Sequence, residues 1–244
     1  MKLRDLSNAL QRYARQISFW GLESQEKLAS STVLVAGLGG LGSAVTLYLV
    51  AAGVGRLILV DSDSVSLSDL NRQVLHWTRD IGRMKVDSAA EKLHELNPGV
   101  EIERMKASFK PTSKMRELVR ASAVVVDCLD NWKSRLALNE VCVKLGKSLV
   151  HASIEGMQGH LTVVAPGTPC LKCIFKNPPD KASVPVIAPI AGILGAAEAL
   201  ETLKLITGYG KPLTGKLLVY DGFSNTVEVF EAEKRFNCPV CSRR

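Results

Sequence analysis

Three glycines in "VLVAGLGGLGSAV", Gly37, Gly39 and Gly42, carry the spacing Gly-x-Gly-x-x-Gly between a run of β-formers and a run of small residues. Such glycines let backbone N–H groups approach phosphate oxygens at a helix N-terminus, where the helix dipole favours negative charge. Asp61 ends the next apolar run, "RLILVD", 24 residues after Gly37. An acid at that place accepts hydrogen bonds from a ribose hydroxyl pair. The combination predicts a nucleotide site, and a nicotinamide dinucleotide and ATP both satisfy it. Arg72 and, 13 residues further on, Lys85 bear on that choice. A dinucleotide's pyrophosphate rests on backbone amides, whereas a triphosphate needs cations that can follow it as it leaves. Both residues could instead be exposed surface charges, although the apolar "VLHW" beside Asn71-Arg72 argues against that. "DCLDN" then puts Asp127 and Asp130 at the carboxyl end of a strand, on the rim where ligands sit in such sheets. Asp130 could hold magnesium through a carboxylate oxygen, or cap the helix starting near Trp132, a role that Asn131 could also fill.

Four of the six cysteines form two Cys-x-x-Cys pairs, Cys170 with Cys173 and Cys238 with Cys241. Two such pairs suit tetrahedral zinc with four thiolates, a closed and therefore structural site. The 64 residues between them are too many for a small zinc knuckle, so the metal would pin the C-terminal tail to the body. The rival is a redox pair, which would leave the second pair unexplained. Cys128 and Cys142 lie in apolar segments and read as packed core thiols. His76, His94, His151 and His160 match no metal-ligand spacing and read as structural, with His76 the only one expected near the site.

These residues need a scaffold. Residues 5–30 read as one or two short helices. From there strands ("TVLVAG", "RLILVD", "EIERMKAS", "SAVVVDCLD", "SLVHASI") alternate with helices over Leu41–Ala52, the "KVDSAAEKLHELNPG" segment, Ser113–Arg120 and Trp132–Leu145. This alternation predicts an α/β fold with a doubly wound, mostly parallel Rossmann-like sheet and helices on both faces. After Gly156 the pattern changes. "HLTVVAP", a long helix over Ile190–Thr207, and "KLLVYDG" with "TVEVFEA" predict antiparallel strands that extend the same sheet rather than a separate domain.

The 244 residues and their ordinary composition fit a soluble globular chain with a sizeable core. No apolar run is long enough to span a bilayer, and "MKLRDLSNALQRYARQ" lacks the hydrophobic centre of a signal peptide, so no membrane association and a cytoplasmic location are expected. The net charge of +7 comes from scattered residues. A solvated surface explains it better than nucleic-acid binding, and it could also draw in an acidic protein or a nucleotide.

"RYARQ" (Arg12 to Gln16), "GLGGLG", "LVDSDSVSLSDLNRQ", "IGRMKV", "DCLDN" and the two cysteine pairs stand in this order over most of the chain. In this the sequence resembles the MoeB/ThiF/HesA family of ubiquitin-activating-like adenylyltransferases, with MoeB-type members nearest. The resemblance implies a single adenylation domain over 1–244: N-terminal helices in 1–30, a nucleotide-binding core in 31–155, and a carrier-binding, zinc-bearing extension in 156–244. It implies ATP rather than a nicotinamide, with Mg2+ and a structural Zn2+. It also implies activation of the C-terminal glycine carboxylate of a ubiquitin-like sulfur carrier ending in Gly-Gly, with release of pyrophosphate, in molybdopterin or thiamine biosynthesis.

Carried over residue by residue, the resemblance gives Gly40 as a close backbone approach to the nucleotide beside Gly37, Gly39 and Gly42, and Asp61 as the ribose ligand. Ser68, Asp69, Leu70, Asn71 and Arg72 match the phosphate-side segment, Arg72 and Lys85 the phosphate ligands, and Asp130 the magnesium carboxylate with Asn131 beside it. Arg15 matches an arginine that enters the site from the other subunit of a homodimer. A cysteine desulfurase or rhodanese-type protein is the implied sulfur donor. Several relatives carry a further cysteine in the crossover loop, but here "IFKNPPDKASVPVIAP" has none, which puts a covalent sulfur-transfer step in doubt. The alternatives are adenylation of a tRNA or a peptide, or a non-catalytic scaffold of the same fold.

Overall fold

A computed structural model describes residues 10–176, 178–180 and 184–242. Strands β1 (Thr32–Ala36), β2 (Arg56–Asp61), β3 (Glu101–Lys106), β4 (Val124–Asp127), β5 (Ser148–Glu155), β6 (Gln158–Val164), β7 (Lys216–Asp221) and β8 (Thr226–Glu231) form one sheet in the order β3-β2-β1-β4-β5-β6-β7-β8. Helices α1 (Ala14–Ala29), α2 (Gly40–Ala52), α3 (Lys85–Leu96), α4 (Ser113–Ala121), α5 (Trp132–Leu145), α6 (Leu171–Ile174) and α7 (Ala188–Thr207) join and flank the strands.

The sheet is parallel from β3 through β5 and antiparallel from β5 through β8. The sheet is thus mixed, with four parallel pairings followed by three antiparallel ones, the expected parallel core with an antiparallel C-terminal extension. The extension does continue the core's own sheet, as the pattern after Gly156 predicted.

The strand residues alternate between two cores. Val33 and Val35 join Leu57, Leu59, Val124 and Val126 under α2, α3 and α7. Leu34 and Ala36 join Ile58, Val60, Val125 and Leu149 under α4 and α5. Strands buried on both faces must be apolar at every position, which is why these runs show no polar alternation. Gly53 and Gly146 end α2 and α5 in the left-handed conformation. The N-terminal region bends at Gly21, which joins two helical segments in α1; residues 1–9 of the expected helices lie outside the described residues. Among the described residues no helix is long and apolar enough to cross a membrane.

β1 has β2 on one side and β4 on the other; the chain runs outward from β1 through β2 to β3 and then crosses back to β4 on the far side of β1. Such a switch point opens a crevice at the carboxyl ends of the strands. The glycine turn, Asp61 and "DCLDN" all fall there.

Candidate active site

The glycine turn is built by contacts that only glycine allows. Gly37 has φ of 95°, and a Cβ there would sit 2.5 Å from the carbonyl oxygen of Cys128. A Cβ at Gly42 would lie 2.1 Å from the carbonyl oxygen of Gly37. The first turn of α2 is thus pressed onto β1 and β4, which leaves its N-terminal amides open to the crevice. Gly39 caps the helix and Gly40 begins it. Asp61 ties the turn together, with Oδ2 accepting the Leu38 N–H at 2.7 Å and Oδ1 accepting the Asp63 N–H at 2.8 Å. Burial pushes its carboxyl above the usual range against those two bonds. Each oxygen keeps further acceptor capacity for a ligand.

A cavity of about 940 Å³ lies over this turn. Gly37, Gly39, Gly40, Asp61, Arg72, Lys85, Asp130 and Asn131 all line it, so one cavity collects most of the site residues named from the sequence. Gly42 lies beneath the lining, and Ser68, Asp69, Leu70 and Asn71 are not part of it. Those four belong to the 3-10 turn Leu67–Asp69 and the residues just after it, which aim the cations. Arg72 Nη1 donates to the Ser68 carbonyl at 2.8 Å and to Asn71 Oδ1 at 3.1 Å. Asp69 accepts from Ser66 N–H and from Gln73 Nε2, and lies 3.5 Å from Arg72 Nη2 and 3.7 Å from Lys85 Nζ. Burial raises the Asp69 pKa, but the Ser66 N–H and the Lys85 ammonium outweigh it and hold the carboxyl below its ordinary range. Lys85 is nearly buried, and its other neighbour is Asp63 at 3.4 Å. Both contacts of its ammonium are long, so a phosphate can compete for it.

At the start of α5, the choice between Asp130 and Asn131 as helix cap is resolved. Asn131 Oδ1 accepts the Ser134 N–H at 2.9 Å and caps α5. Asp130 is exposed at the cavity and accepts from Asn131 Nδ2 at 3.0 Å. The expectation that Asp127 shares this rim is corrected: it is fully buried, 2.8 Å from His151 Nδ1.

The "RYARQ" segment divides by direction. Arg12 donates to the Leu96 carbonyl, Tyr13 accepts from Asn97 and Gln16 donates to the Ala52 carbonyl, which fixes α1 to the body. Arg15 is exposed, lies outside the cavity lining and has no side-chain partner among the described residues.

The ThiF family's sequence profile matches residues 13–240 of this chain. The chain belongs to the ThiF family. The vegetative HesA protein of Trichormus variabilis is 40% identical over 240 residues, covering 96% of this chain and 90% of the relative. The SAMP-activating enzyme E1 of Haloferax volcanii is 40% identical over 240 residues, 95% of this chain and 88% of the relative. The maize adenylyltransferase and sulfurtransferase MOCS3-1 is 38% identical over 245 residues, and there the chain spans only 52% of the relative. Solved E. coli MccB structures share the fold: one with MccA-N7isoASN has a TM-score of 0.86 at 21% identity over 96% of this chain and 75% of that one. The MccB structure with ATP has a TM-score of 0.85 at 22% identity over 94% of this chain and 73% of that one. With adenylyltransferases among relatives matched along nearly all of it, this ThiF-family chain is an adenylyltransferase.

Away from the cavity, the four paired cysteines converge although the pairs are far apart in sequence. All four sulfurs lie within 4.8 Å of one another and are buried. Cys170 Sγ is 3.6 Å from Cys238 Sγ, and Cys173 Sγ is 3.4 Å from Cys241 Sγ. Four thiols in this arrangement can hold a metal ion. The Arg235 N–H points at Cys173 Sγ from 3.5 Å and its guanidinium donates to the Lys172 carbonyl, so the tail is also fastened by bonds around the sulfurs. Burial raises the Cys238 pKa, yet the Cys241 and Val240 N–H groups overcome it and draw the thiol down to about 7.

The two lone cysteines behave as core thiols. Cys142 is fully buried. Cys128 is buried against Glu198, and burial pushes its thiol well up. His76 is structural, bonded to the Leu38 carbonyl at 3.0 Å and to Ser88 Oγ at 2.9 Å. The expectation that it is the only histidine near the site is corrected, because His160 lines the cavity. Sequence reasoning also missed Arg135 and Asp180, which line it too. Arg135 donates to the Leu129 carbonyl, and Asp180 accepts the Trp132 N–H at the start of α5. Arg135 follows Asn131 by four residues, one helical turn, and that spacing was its only local signal.

Proposed function

We propose that this chain adenylates the C-terminal glycine carboxylate of a ubiquitin-like sulfur carrier of the MoaD/ThiS type, forming an acyl-adenylate and releasing pyrophosphate, for sulfur transfer in molybdopterin or thiamine biosynthesis. The observation that carries this reading is the convergence of Arg72, Lys85 and Asp130 on one cavity that the glycine turn also lines. Relatives named SAMP-activating enzyme E1 and MOCS3 adenylyltransferase support it.

The chemistry follows from charge. A carboxylate is a weak nucleophile and is repelled by a polyanion, so the two must be held together while cations absorb the charge moving onto pyrophosphate. Helix α2 offers N–H groups to the phosphates, Asp61 offers acceptors to the ribose, and Arg72 and Lys85 follow the leaving group. The attacking carboxylate oxygen bonds to the α-phosphorus as the bond to the pyrophosphate oxygen breaks. No side-chain base is assigned, since the carboxylate is already ionised. Asp130 would hold Mg2+, which supplies further charge neutralisation at the phosphates.

Zn2+ fits the cysteine cluster. Tetrahedral ligation at about 2.3 Å separates thiolate sulfurs by about 3.8 Å, close to the spacing found. It would have a structural role, joining the C-terminal tail to the loop before α6. Arg15, exposed on α1, would complete the site of a second copy in a homodimer. A desulfurase or rhodanese-type donor would then deliver sulfur.

The test is ATP–pyrophosphate exchange with each candidate carrier from the same genome, followed by mass spectrometry. An acyl-AMP mass on one carrier is expected. Exchange driven by a tRNA or a short peptide, with none from any carrier, would replace this reading with the corresponding alternative. No binding of Mg-ATP would leave a non-catalytic scaffold.

A further inference from the structure

Below the cavity, three side chains that the adenylation step does not use stand in line. Asp127, the last residue of β4, accepts the Leu129 N–H at Oδ1 and faces His151 Nδ1 from Oδ2 at 2.8 Å. His151 lies beside it in the parallel register of β5 and is fully buried. His151 Nε2 is 3.4 Å from Nε2 of His160, its diagonal neighbour across the β5–β6 hairpin. His160 is partly exposed and reaches the cavity. Trp132 stacks over the His160 ring at an interplanar angle of 18°, and the Phe175 centroid lies 4.7 Å from it. The ring therefore has little freedom to turn.

The partners decide the tautomers. The Asp127 carboxylate can only accept, so His151 Nδ1 carries the proton. Burial disfavours the charged form of His151 and, more strongly, of His160, to which His151 and Arg135 add further. A neutral His151 presents a lone pair at Nε2, and the donor in reach is His160 Nε2–H. That leaves a lone pair on His160 Nδ1, which no hydrogen bond within the described residues occupies. The 3.4 Å contact is long, as such bonds often are before a site closes on its substrate.

We propose that Asp127, His151 and His160 form a hydrogen-bonded chain that presents His160 Nδ1 to the cavity as the acceptor for the proton released when a thiol displaces AMP from the adenylated carboxylate. This rests on the adenylation reading and adds the step after it. The sulfur attacks the acyl carbon and a C–S bond forms. The C–O bond to the phosphate breaks, and its electron pair leaves on AMP. The S–H proton goes to His160 Nδ1. The imidazolium so formed donates through Nε2 to His151, whose other nitrogen is bonded to the Asp127 carboxylate, so the new charge is met by an anion. Asp127 and His151 are positioning residues, and His160 is the catalytic one.

The experiment uses the full chain with Mg-ATP, a recombinant MoaD-type carrier ending in Gly-Gly, and dithiothreitol as the thiol. ATP–pyrophosphate exchange reads the first step and thiol-driven AMP release reads the second. In His160→Gln the ratio of AMP release to exchange should fall about 10²-fold, the scale of a lost proton acceptor. Asp127→Asn should lower the same ratio. An unchanged ratio, whether both rates persist or both fall together, overturns the proposal. Nitrogen-15 NMR of the labelled imidazoles needs no carrier. It should show Nδ1 of His160 unprotonated and Nε2 protonated in the wild type; the opposite tautomer, or a doubly protonated ring at neutral pH, overturns the chain as well. If the wild type shows no exchange with any carrier, the adenylation reading fails, and the NMR result still judges the chain.

Discussion

Asn131 donates its side-chain amide to the Asp130 carboxylate at 3.0 Å while its own Oδ1 caps α5 on the Ser134 N–H. One residue thereby holds the helix and steadies its acidic neighbour at the cavity. The two roles separate by mutation. Asp130→Ala should lower Mg-dependent exchange by about 10²-fold, the scale of lost charge stabilisation at a transferring phosphoryl group, and leave thermal stability almost unchanged. Asn131→Ala should cost about 1 kcal/mol of stability through the lost cap. Thermal melts beside exchange assays check both. A large loss of melting temperature in Asp130→Ala would mean that the carboxylate is structural.

The cysteine cluster predicts one zinc per chain. Elemental analysis of protein purified without added metal should find it, and the tail should depend on it. A strong chelator, or Cys238→Ser, should lower the melting temperature and open the C-terminal residues to protease, because the tail's remaining fastenings are few. Restoring zinc to the chelated wild type should reverse both effects. Protein that is metal-free yet equally protease-resistant would leave the cluster as packed thiols only.

What was legible and what was not follows from distance along the chain. Gly37, Gly42 and Asp61 belong to one β-α-β unit, so their types and spacing carry the turn almost without tertiary help. Arg72 and Lys85 were readable as cations, but not the way they are aimed: Asp69, expected in the phosphate-side segment, turns inward and braces both. The His151–His160 contact exists only because the β5–β6 hairpin sets that register, and nothing in either local sequence announces it. The Asp180 contact with Trp132 joins residues 48 apart through a loop with no periodic pattern. The antiparallel extension is legible because the β7–β8 hairpin leaves a local turn signal, whereas the β6–β7 pairing joins strands separated by α6 and α7 and depends on tertiary packing.

Acid should weaken this fold through Asp80. Its side chain has no exposure and receives the Lys92 ammonium, the Arg83 guanidinium at 2.7 Å and the Trp77 N–H at 2.8 Å. Burial alone would raise its pKa, but the Lys92 bond and the Trp77 N–H outweigh that and hold the carboxyl down to about 2. A folded pKa below the unfolded one contributes stability that is present above the unfolded value and lost as pH falls through the folded one. The contribution is on the order of 2 kcal/mol at neutral pH and should fade between about pH 4 and pH 2. Asp80→Asn should be clearly less stable than wild type at pH 7, since Lys92 is left buried without its anion. Denaturant melts should show that gap narrowing as pH drops through this window; a gap that stays constant down to pH 2 would remove Asp80 as the cause.

Arg15 and Arg72 make the proposed dimer testable by complementation. In "RYARQ", Arg12, Tyr13 and Gln16 are used to fasten α1, so the exposed Arg15 guanidinium is left over by the protomer's own packing. If it enters the partner's cavity, Arg15→Ala and Arg72→Ala should each lower exchange by about 10²-fold, the scale of a lost charge-stabilising group. Mixing the two variants then lets a heterodimer form in which one of the two cavities has Arg72 from its own chain and Arg15 from the other. With random pairing half of the dimers are mixed and half of their sites intact, so activity should return to about a quarter of wild type. An Arg15→Ala protein with wild-type exchange, or a mixture of exchanging subunits that stays inactive, would mean that each cavity works with its own chain alone.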